Sequence, residues 1–246
     1  MPPRSPAGRT RTPRAEPRGP AADAALLGRV GYFRSLPAGE LAALARRAVS
    51  RTLRRGETLF EEGAPAGGLF VLGSGRVEVR QVSRRGREQV FHTEGPGATL
   101  GEGPLFDGGG YIASAVALEP TRALFLPRTE VLALCRRHPA VALAMLEALA
   151  RRVRRFAGIV GDLAFRPVRE RLARYLVANA VPRARSTALE LDLSLTHAQL
   201  AARLGTVREL VARALADLER DGVIARSGRR VIVRDPARLE ALAEGE

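Results

Sequence analysis

The sequence predicts an α+β chain with two folded units joined by one long helix. Three observations carry that prediction. Short apolar runs punctuated by glycine fill residues 51–127, an apolar seam runs from Pro139 to Phe165, and two short capped helices precede a hairpin near the end of the chain. At 246 residues the chain is long enough for one large domain or two small ones, each able to bury a core.

Residues 1–23 are rich in proline and arginine and poor in large apolar groups, so they cannot bury enough surface to order themselves. A disordered basic arm is expected there. A first domain is expected over residues 24–137, opening with a helical stretch from Ala24 and then Leu41, Leu44 and Ala45 at helical spacing ahead of Val49. The runs Leu53–Phe60, Leu69–Leu72, Val77–Val82, Gln89–Thr93, Ile112–Leu118 and Ala123–Leu126 follow. They are separated by Arg55-Gly56, Gly73-Ser74-Gly75, Arg85-Gly86, Gly95-Pro96-Gly97 and Gly108-Gly109-Gly110. Many short strands with glycine turns at near-regular spacing read as an antiparallel sandwich or barrel. A short helix from Arg128 into Arg137 closes this unit, broken by Pro139.

Residues 138–165 are expected to form a dimerisation helix. Leu146, Leu149, Val153, Phe156, Val160 and Leu163 recur at steps that hold one apolar seam in line, branched residues at one position and leucine at the other. That arrangement favours two parallel strands. Glu147, Arg151, Arg152, Arg154 and Arg155 lie off the seam, and roughly 40 Å of helix carrying so many arginines suits a connector better than a buried core helix. A second stripe, Leu143, Ala150, Ala157 and Ala164, widens the apolar face and leaves room for the chain's own first domain.

Residues 166–246 are expected to form a second domain. After Arg166-Pro167, with proline suited to a first helical position, Val168, Leu172, Tyr175 and Leu176 mark one face of a helix that ends before Pro182. Arg183–Ala188 reads as a loop and Leu189–Leu193 as a short strand. Thr196 is a good N-cap with Gln199 completing a capping box, and Leu200, Ala201 and Leu204 form an inner face. Gly205 stops that helix. Thr206 is expected to cap a second helix, with Glu209 at the capping-box position and Val211, Ala214, Leu215 and Leu218 facing inward. Val223–Arg226 and Val231–Arg234, joined by Ser227-Gly228-Arg229-Arg230, read as a two-stranded wing. The whole is a winged helix-turn-helix.

Charge points the same way. The net charge is +14, carried by arginine without a single lysine, and a strongly basic protein meets polyanions, of which nucleic acid is the commonest. Residues 166–234 hold 14 arginines against 7 acids. Arg208, Glu209, Ala212 and Arg213 lie on the outward face near the start of the second helix, the part that enters a major groove. Arginine pairs bidentately with guanine and glutamate accepts from the cytosine amino group, while Arg229 and Arg230 at the wing turn suit phosphates. Glu209 serves equally well as a cap, and the arginines as solvated surface charge. The DNA-binding candidates are Thr196, Thr206, Arg208, Glu209, Arg213, Arg229 and Arg230.

Other classes find little support. The glycines at 73 and 75, or at 101 and 103, lack the continuation of a phosphate loop or a dinucleotide fingerprint, and no nucleophile, base or metal-ligand spacing nominates a catalytic residue. No membrane span or leader is expected, and one cysteine, Cys135, agrees with a reducing cytoplasm.

These features together resemble the cyclic-AMP receptor protein and FNR (Crp/Fnr) superfamily of bacterial transcription regulators. The resemblance spans about residues 25–240 and includes the Gly101-Glu102 turn before Leu105-Phe106, the helix ending Val160-Gly161-Asp162-Leu163-Ala164-Phe165, and the winged helix-turn-helix. It implies a cyclic-nucleotide-binding-like β-roll, a homodimer, contact with RNA polymerase, and a palindromic site with TGTGA-like halves read by Arg208, Glu209 and Arg213. Val207 and Leu210 depart from the family's usual small polar residue and threonine. Gly101, Glu102, Leu105, Ile112, Ala113 and Phe156 are the candidate effector pocket. The cyclic-AMP branch holds the phosphate with an Arg-Ser pair, matched here by Ile112 and Ala113, and the adenine with Thr-Ser, matched by Phe156 and Ala157. Control by cyclic AMP is therefore not expected, since isoleucine cannot neutralise a phosphate. One cysteine cannot hold an iron–sulfur cluster. No cofactor or metal is expected. A haem-based sensor of NO or CO, with His92, His138 and His197 as the available histidines, stays open as an alternative, as does a redox role for Cys135. The alternative of another class is a ligand-binding module without DNA function.

Overall fold

The computed structural model describes residues 19–182 and 189–245; the expected arm up to residue 18 and the stretch Arg183–Ala188 lie outside the described residues. Helix α1 (Pro20–Leu27) begins inside the segment expected to be disordered. Its alanine-rich sequence favours helix, Leu26 and Leu27 have a core to enter, and Asp23 pairs with Arg122 at 2.5 Å. A short 3-10 turn (Gly31–Phe33) leads to α2 (Ala38–Arg47).

Eight strands then build the roll: β1 (Val49–Leu53), β2 (Thr58–Phe60), β3 (Gly68–Ser74), β4 (Val77–Val82), β5 (Glu88–Glu94), β6 (Thr99–Leu100), then helix α3 (Glu102–Asp107), β7 (Ser114–Ala117) and β8 (Thr121–Pro127). They form two antiparallel sheets ordered β1-β8-β3-β6 and β2-β7-β4-β5. The run expected from Leu53 to Phe60 is two strands in different sheets, because the turn at Gly56 carries the chain from one to the other. The strand expected to start at Ile112 starts at Ser114, and Ile112 is 66% exposed.

Alternation along β3 divides the core. Phe70 and Leu72 point between the sheets, where they meet Leu53, Val77, Leu100 and Ala115. Leu69 and Val71 point outward into a second cluster with Leu27, Phe33, Leu134, Val141 and Met145, so the helices cover the outer face of the first sheet.

Helix α4 (Arg128–Arg137) and helix α5 (Pro139–Phe165) have the expected bounds. Proline cannot continue α4 but fits the first turn of α5. The roll packs on Val141 and Met145, with Ala144 and Ala148 beside them. The second stripe does not serve that purpose. Leu143 is 63% exposed and Ala150, Ala157 and Ala164 are exposed too, since Met145 and Ala148 fill the side of the helix nearest the roll.

The C-terminal part comprises α6 (Val168–Asn179), β9 (Val181–Pro182), β10 (Leu189–Asp192), α7 (His197–Leu204), α8 (Arg208–Arg220), β11 (Ile224–Ser227), β12 (Arg230–Val233) and α9 (Pro236–Glu244). Pro167 caps α6 rather than opening it. The strands form one antiparallel sheet, β11-β12-β10-β9, so the wing is extended by the segment before the helix pair. Leu172, Leu176, Leu200, Leu204, Val211, Leu215 and Leu218 share one core with Val223, Val231 and Leu239. The α9 helix, which the sequence pattern did not announce, supplies Leu239 behind an Asp235 cap.

The pivot of the helix pair is Gly205, at φ +63°. A side chain there would be strained in the left-handed region, and its Cβ would sit 2.3 Å from Leu163 Cδ2 and 2.7 Å from Gln89 Oε1. Gly205→Ala is expected to lower stability by about 1–2 kcal/mol. Urea unfolding measures this, and an unchanged midpoint would show that the turn tolerates a side chain.

Candidate functional site

Two places concentrate functional chemistry. The first is a cavity of about 250 Å3 between the roll and α5, walled by Phe60, Phe91, Leu100, Tyr111, Ile112 and Ala113 from the roll and by Leu149, Arg152, Val153 and Phe156 from the helix. Of the expected pocket residues, Gly101, Glu102, Ile112, Ala113 and Phe156 line it. Leu105 does not. The short α3 turns it into the helical core, where it is 1% exposed.

Gly101 starts α3 at φ +92°, a conformation that glycine alone adopts cheaply, and this turns Glu102 inward. Glu102 is 2% exposed. Arg152 donates to both of its oxygens, through Nη1 to Oε2 at 2.7 Å and through Nη2 to Oε1 at 2.9 Å. The same Nη2 donates to the Thr99 carbonyl at 2.6 Å. The Thr99 hydroxyl donates to Glu102 as well, and the Tyr32 hydroxyl lies 3.5 Å away. Burial, and then the Glu102 charge, push the Tyr32 hydroxyl far above the ordinary phenol range, so it stays protonated.

The sequence pattern marks Arg152 only as an off-seam arginine. The signal was available: it lies three residues after Leu149 and four before Phe156, on the face these two present to the cavity.

The expected seam divides. Leu146, Val153 and Val160 are 57%, 67% and 64% exposed, while Leu149 and Phe156 are half-buried against the cavity. Leu163, 41% exposed, lies against Gly205.

Haem fits this cavity poorly. His92 is the one histidine among the lining residues, its Nδ1 lies 3.0 Å from Glu94, and the volume is under the roughly 300 Å3 at which drug-sized pockets begin. Cys135 packs its sulfur 3.8 Å from that of Met145, and burial pushes its thiol up, the opposite of an activated cysteine.

The second place is the helix pair. Thr196 caps α7 as expected, accepting from the Gln199 amide while Gln199 Oε1 accepts from the Thr196 amide at 2.9 Å. Thr206 does not cap α8. Its amide donates to the Ala201 carbonyl at 3.0 Å and closes α7, so the N-cap is Val207, without a side-chain cap. Glu209 is therefore free of the capping box and accepts from Arg208 Nε at 2.7 Å. That hydrogen bond lowers the Glu209 carboxyl below its usual range. Arg208, Glu209 and Arg213 stand exposed on the first turns of α8, and Arg229 and Arg230 at the wing turn.

This unit docks on the roll. Arg203 of α7 donates to Glu78 of β4 at 2.7 Å, and Glu78 is 5% exposed. Asp162, near the end of α5, pairs with Arg166 at 3.2 Å and with Arg174 at 2.5 Å, across the joint to α6.

Among the described residues no helix is long and apolar enough to cross a membrane. A model of the cyclic nucleotide-binding domain matches residues 50–138, and one of the Crp-like helix-turn-helix domain matches residues 170–242. The chain is 32% identical over 216 residues to the CRP-like cAMP-activated global transcriptional regulator of Mycobacterium tuberculosis, covering 87% of this chain and 96% of that protein. It is 36% identical over 195 residues to the cyclic AMP receptor protein of Thermus thermophilus, covering 79% and 88%. The crystal structure of the Thermus thermophilus catabolite activator protein superposes with a TM-score of 0.50 at 33% identity, covering 87% and 99%.

Arg152→Met would leave the Glu102 carboxylate buried without its partner. Stability is expected to fall by about 3 kcal/mol, and the Glu102→Gln/Arg152→Met double variant to recover most of that loss. Denaturant midpoints measure both; equal loss in the single and double variants would show that the pair does not act as a unit.

Proposed function

From the premise that this chain belongs to the Crp/Fnr family of bacterial transcription regulators, we propose that it is a homodimeric, cytoplasmic regulator reading a palindromic operator without control by cyclic AMP. The observation that carries the reading is the exposed Arg208, Glu209 and Arg213 set on a helix whose inner face is fully buried. A helix held rigidly from behind presents these side chains to base edges at low entropic cost. Glu209 and Arg213 share a face, and Arg208 precedes them. TGTGA-like half-sites follow from matching these residues to the family pattern. Thr196 at the start of α7 and Arg229 and Arg230 at the wing turn are assigned to phosphates.

Dimerisation is assigned to α5. Leu146, Val153 and Val160 form one exposed apolar column and Leu143, Ala150, Ala157 and Ala164 a second beside it, and two copies meeting there remove both from water. A two-fold axis along α5 sets the recognition helices about one turn of DNA apart, about 34 Å. RNA polymerase is the expected further partner.

Independence from cyclic AMP rests on the cavity. The two similar proteins above carry cyclic AMP in their names, but here Ile112 and Ala113 stand where a phosphate needs a cation, and Arg152 is already held by Glu102 and the Thr99 carbonyl.

Selection from random duplexes at a stated near-physiological salt is expected to return a palindrome with TGTGA-like halves from ligand-free protein, unchanged by added cyclic AMP. Arg208→Ala should weaken the best operator by roughly 10- to 100-fold and relax one base position per half-site. Equal weakening on random DNA would reduce Arg208 to a phosphate contact, and marked tightening by cyclic AMP would overturn the cavity reading.

Val160→Glu places two carboxylates on the proposed axis and removes two buried valines. Sedimentation equilibrium should show dimerisation weakened by about 100-fold or more with the fold retained; an unaffected dimer would move the interface elsewhere.

A further inference from the structure

We propose that the cavity between the roll and α5 binds a neutral, mainly apolar molecule of single-ring or small bicyclic aromatic size, and that this is the effector class of the regulator. The proposal rests on the reading that cyclic AMP is not the ligand.

The walls favour aromatic contact. Phe60 and Tyr111 stack at 4.0 Å with their planes 16° apart, both from the roll. Phe91 of the roll meets Phe156 of α5 edge to face, at 5.5 Å and 77°. A guest among these rings finds both faces and edges to pack against.

Charge selects against ions. Glu102 and Arg152 neutralise each other, and both Nη atoms of Arg152 are engaged. His92 contacts Glu94, and the exposed Asp107 accepts from the Gly109 amide at 2.9 Å. Among the lining residues an anion would meet no arginine except Arg152, already paired with Glu102, and a cation would find that carboxylate occupied.

Size narrows the class. A closed apolar cavity of about 150 Å3 holds benzene, so by proportion the roughly 250 Å3 here takes about ten heavy atoms as the buried part of a guest, with the mouth open at Ile112 and Val153. The guest would also touch Leu149, Val153 and Phe156 of α5, so its binding is felt by the helix that reaches the joint at Arg166.

The test is calorimetric titration of the full-length chain with indole, a neutral bicyclic probe, and with indole-3-carboxylate, which adds one negative charge, in the absence of DNA. Indole is expected to bind saturably at one site per chain, and the carboxylate at least about tenfold more weakly. Ala113→Leu fills the cavity and should abolish indole binding. Should that variant misfold, Ile112→Arg at the exposed rim places a cation there and should reverse the preference in favour of the carboxylate. Absence of saturable indole binding, equal binding of both probes, or indole binding indifferent to both variants overturns the proposal. Failure of these titrations while cyclic AMP still leaves operator binding unchanged would sink the ligand class alone; tightening of operator binding by cyclic AMP would sink the reading beneath it.

Discussion

The ion pair between Glu102 and Arg152 is the constraint on which the architecture turns. A carboxylate at 2% exposure has lost nearly all its water, and only a bidentate guanidinium with further hydrogen bonds makes that tolerable. Glu102 belongs to the roll and Arg152 to α5, so satisfying the charge fixes the helix against the roll at mid-length. Thr99 and Tyr32 add contacts from β6 and the N-terminal turn. The site therefore gathers three separate stretches of chain, at residues 32, 99–102 and 152, around one charge. Apolar packing alone would let α5 slide; this pair sets its register.

From that joint α5 runs with two unlike faces. Toward the roll it presents Met145, Leu149, Arg152 and Phe156, away from it Leu146 and Val160, and Val153 stands between the two faces, exposed at the mouth of the cavity. The cavity and the exposed column share the same few turns of helix, so a change in how Leu149 and Phe156 pack shifts the column as well. At its far end Leu163 rests on Gly205, the pivot between the two helices of the reader, and Arg203 ties the first of these to Glu78. Val160 does not face the cavity, so the helix takes up any push from a guest through Leu149, Val153 and Phe156 rather than through Val160.

Much of this was legible because the strongest signals are periodic. The bounds of α4 and α5 follow from Pro139 and a long uninterrupted seam, and the wing from paired apolar runs around Ser227-Gly228. What escaped depended on neighbours distant in sequence. Arg152 shares a helical face with Leu149 and Phe156, but only the fold brings Glu102 beneath it. The stripe from Leu143 to Ala164 was visible as a column, yet periodicity does not say which neighbour covers which column. Thr206 sits in a pattern that serves as a cap for α8 and equally as the close of α7. The left-handed Gly205 decides for α7 by turning the Thr206 amide back to Ala201. Leu105 looked like a pocket residue from its place after Glu102, but six residues of helix were enough to turn it into the core.

The persistence of the buried pair beside an apolar rim has a physical explanation. Glu102 and Arg152 satisfy each other, so they remain stable whether or not an anion is bound nearby. A cation at position 112 would stand on exposed surface, where replacing it by isoleucine costs the fold little. Isoleucine there offers a ligand no charge and carries the apolar wall out to the rim. At 66% exposure, Ile112 leaves apolar surface in water at the mouth of the cavity. The roll and its joint to α5 can thus be kept while the chemistry at the mouth is exchanged, because the charge that holds the architecture together is separate from the charge that would recognise a ligand.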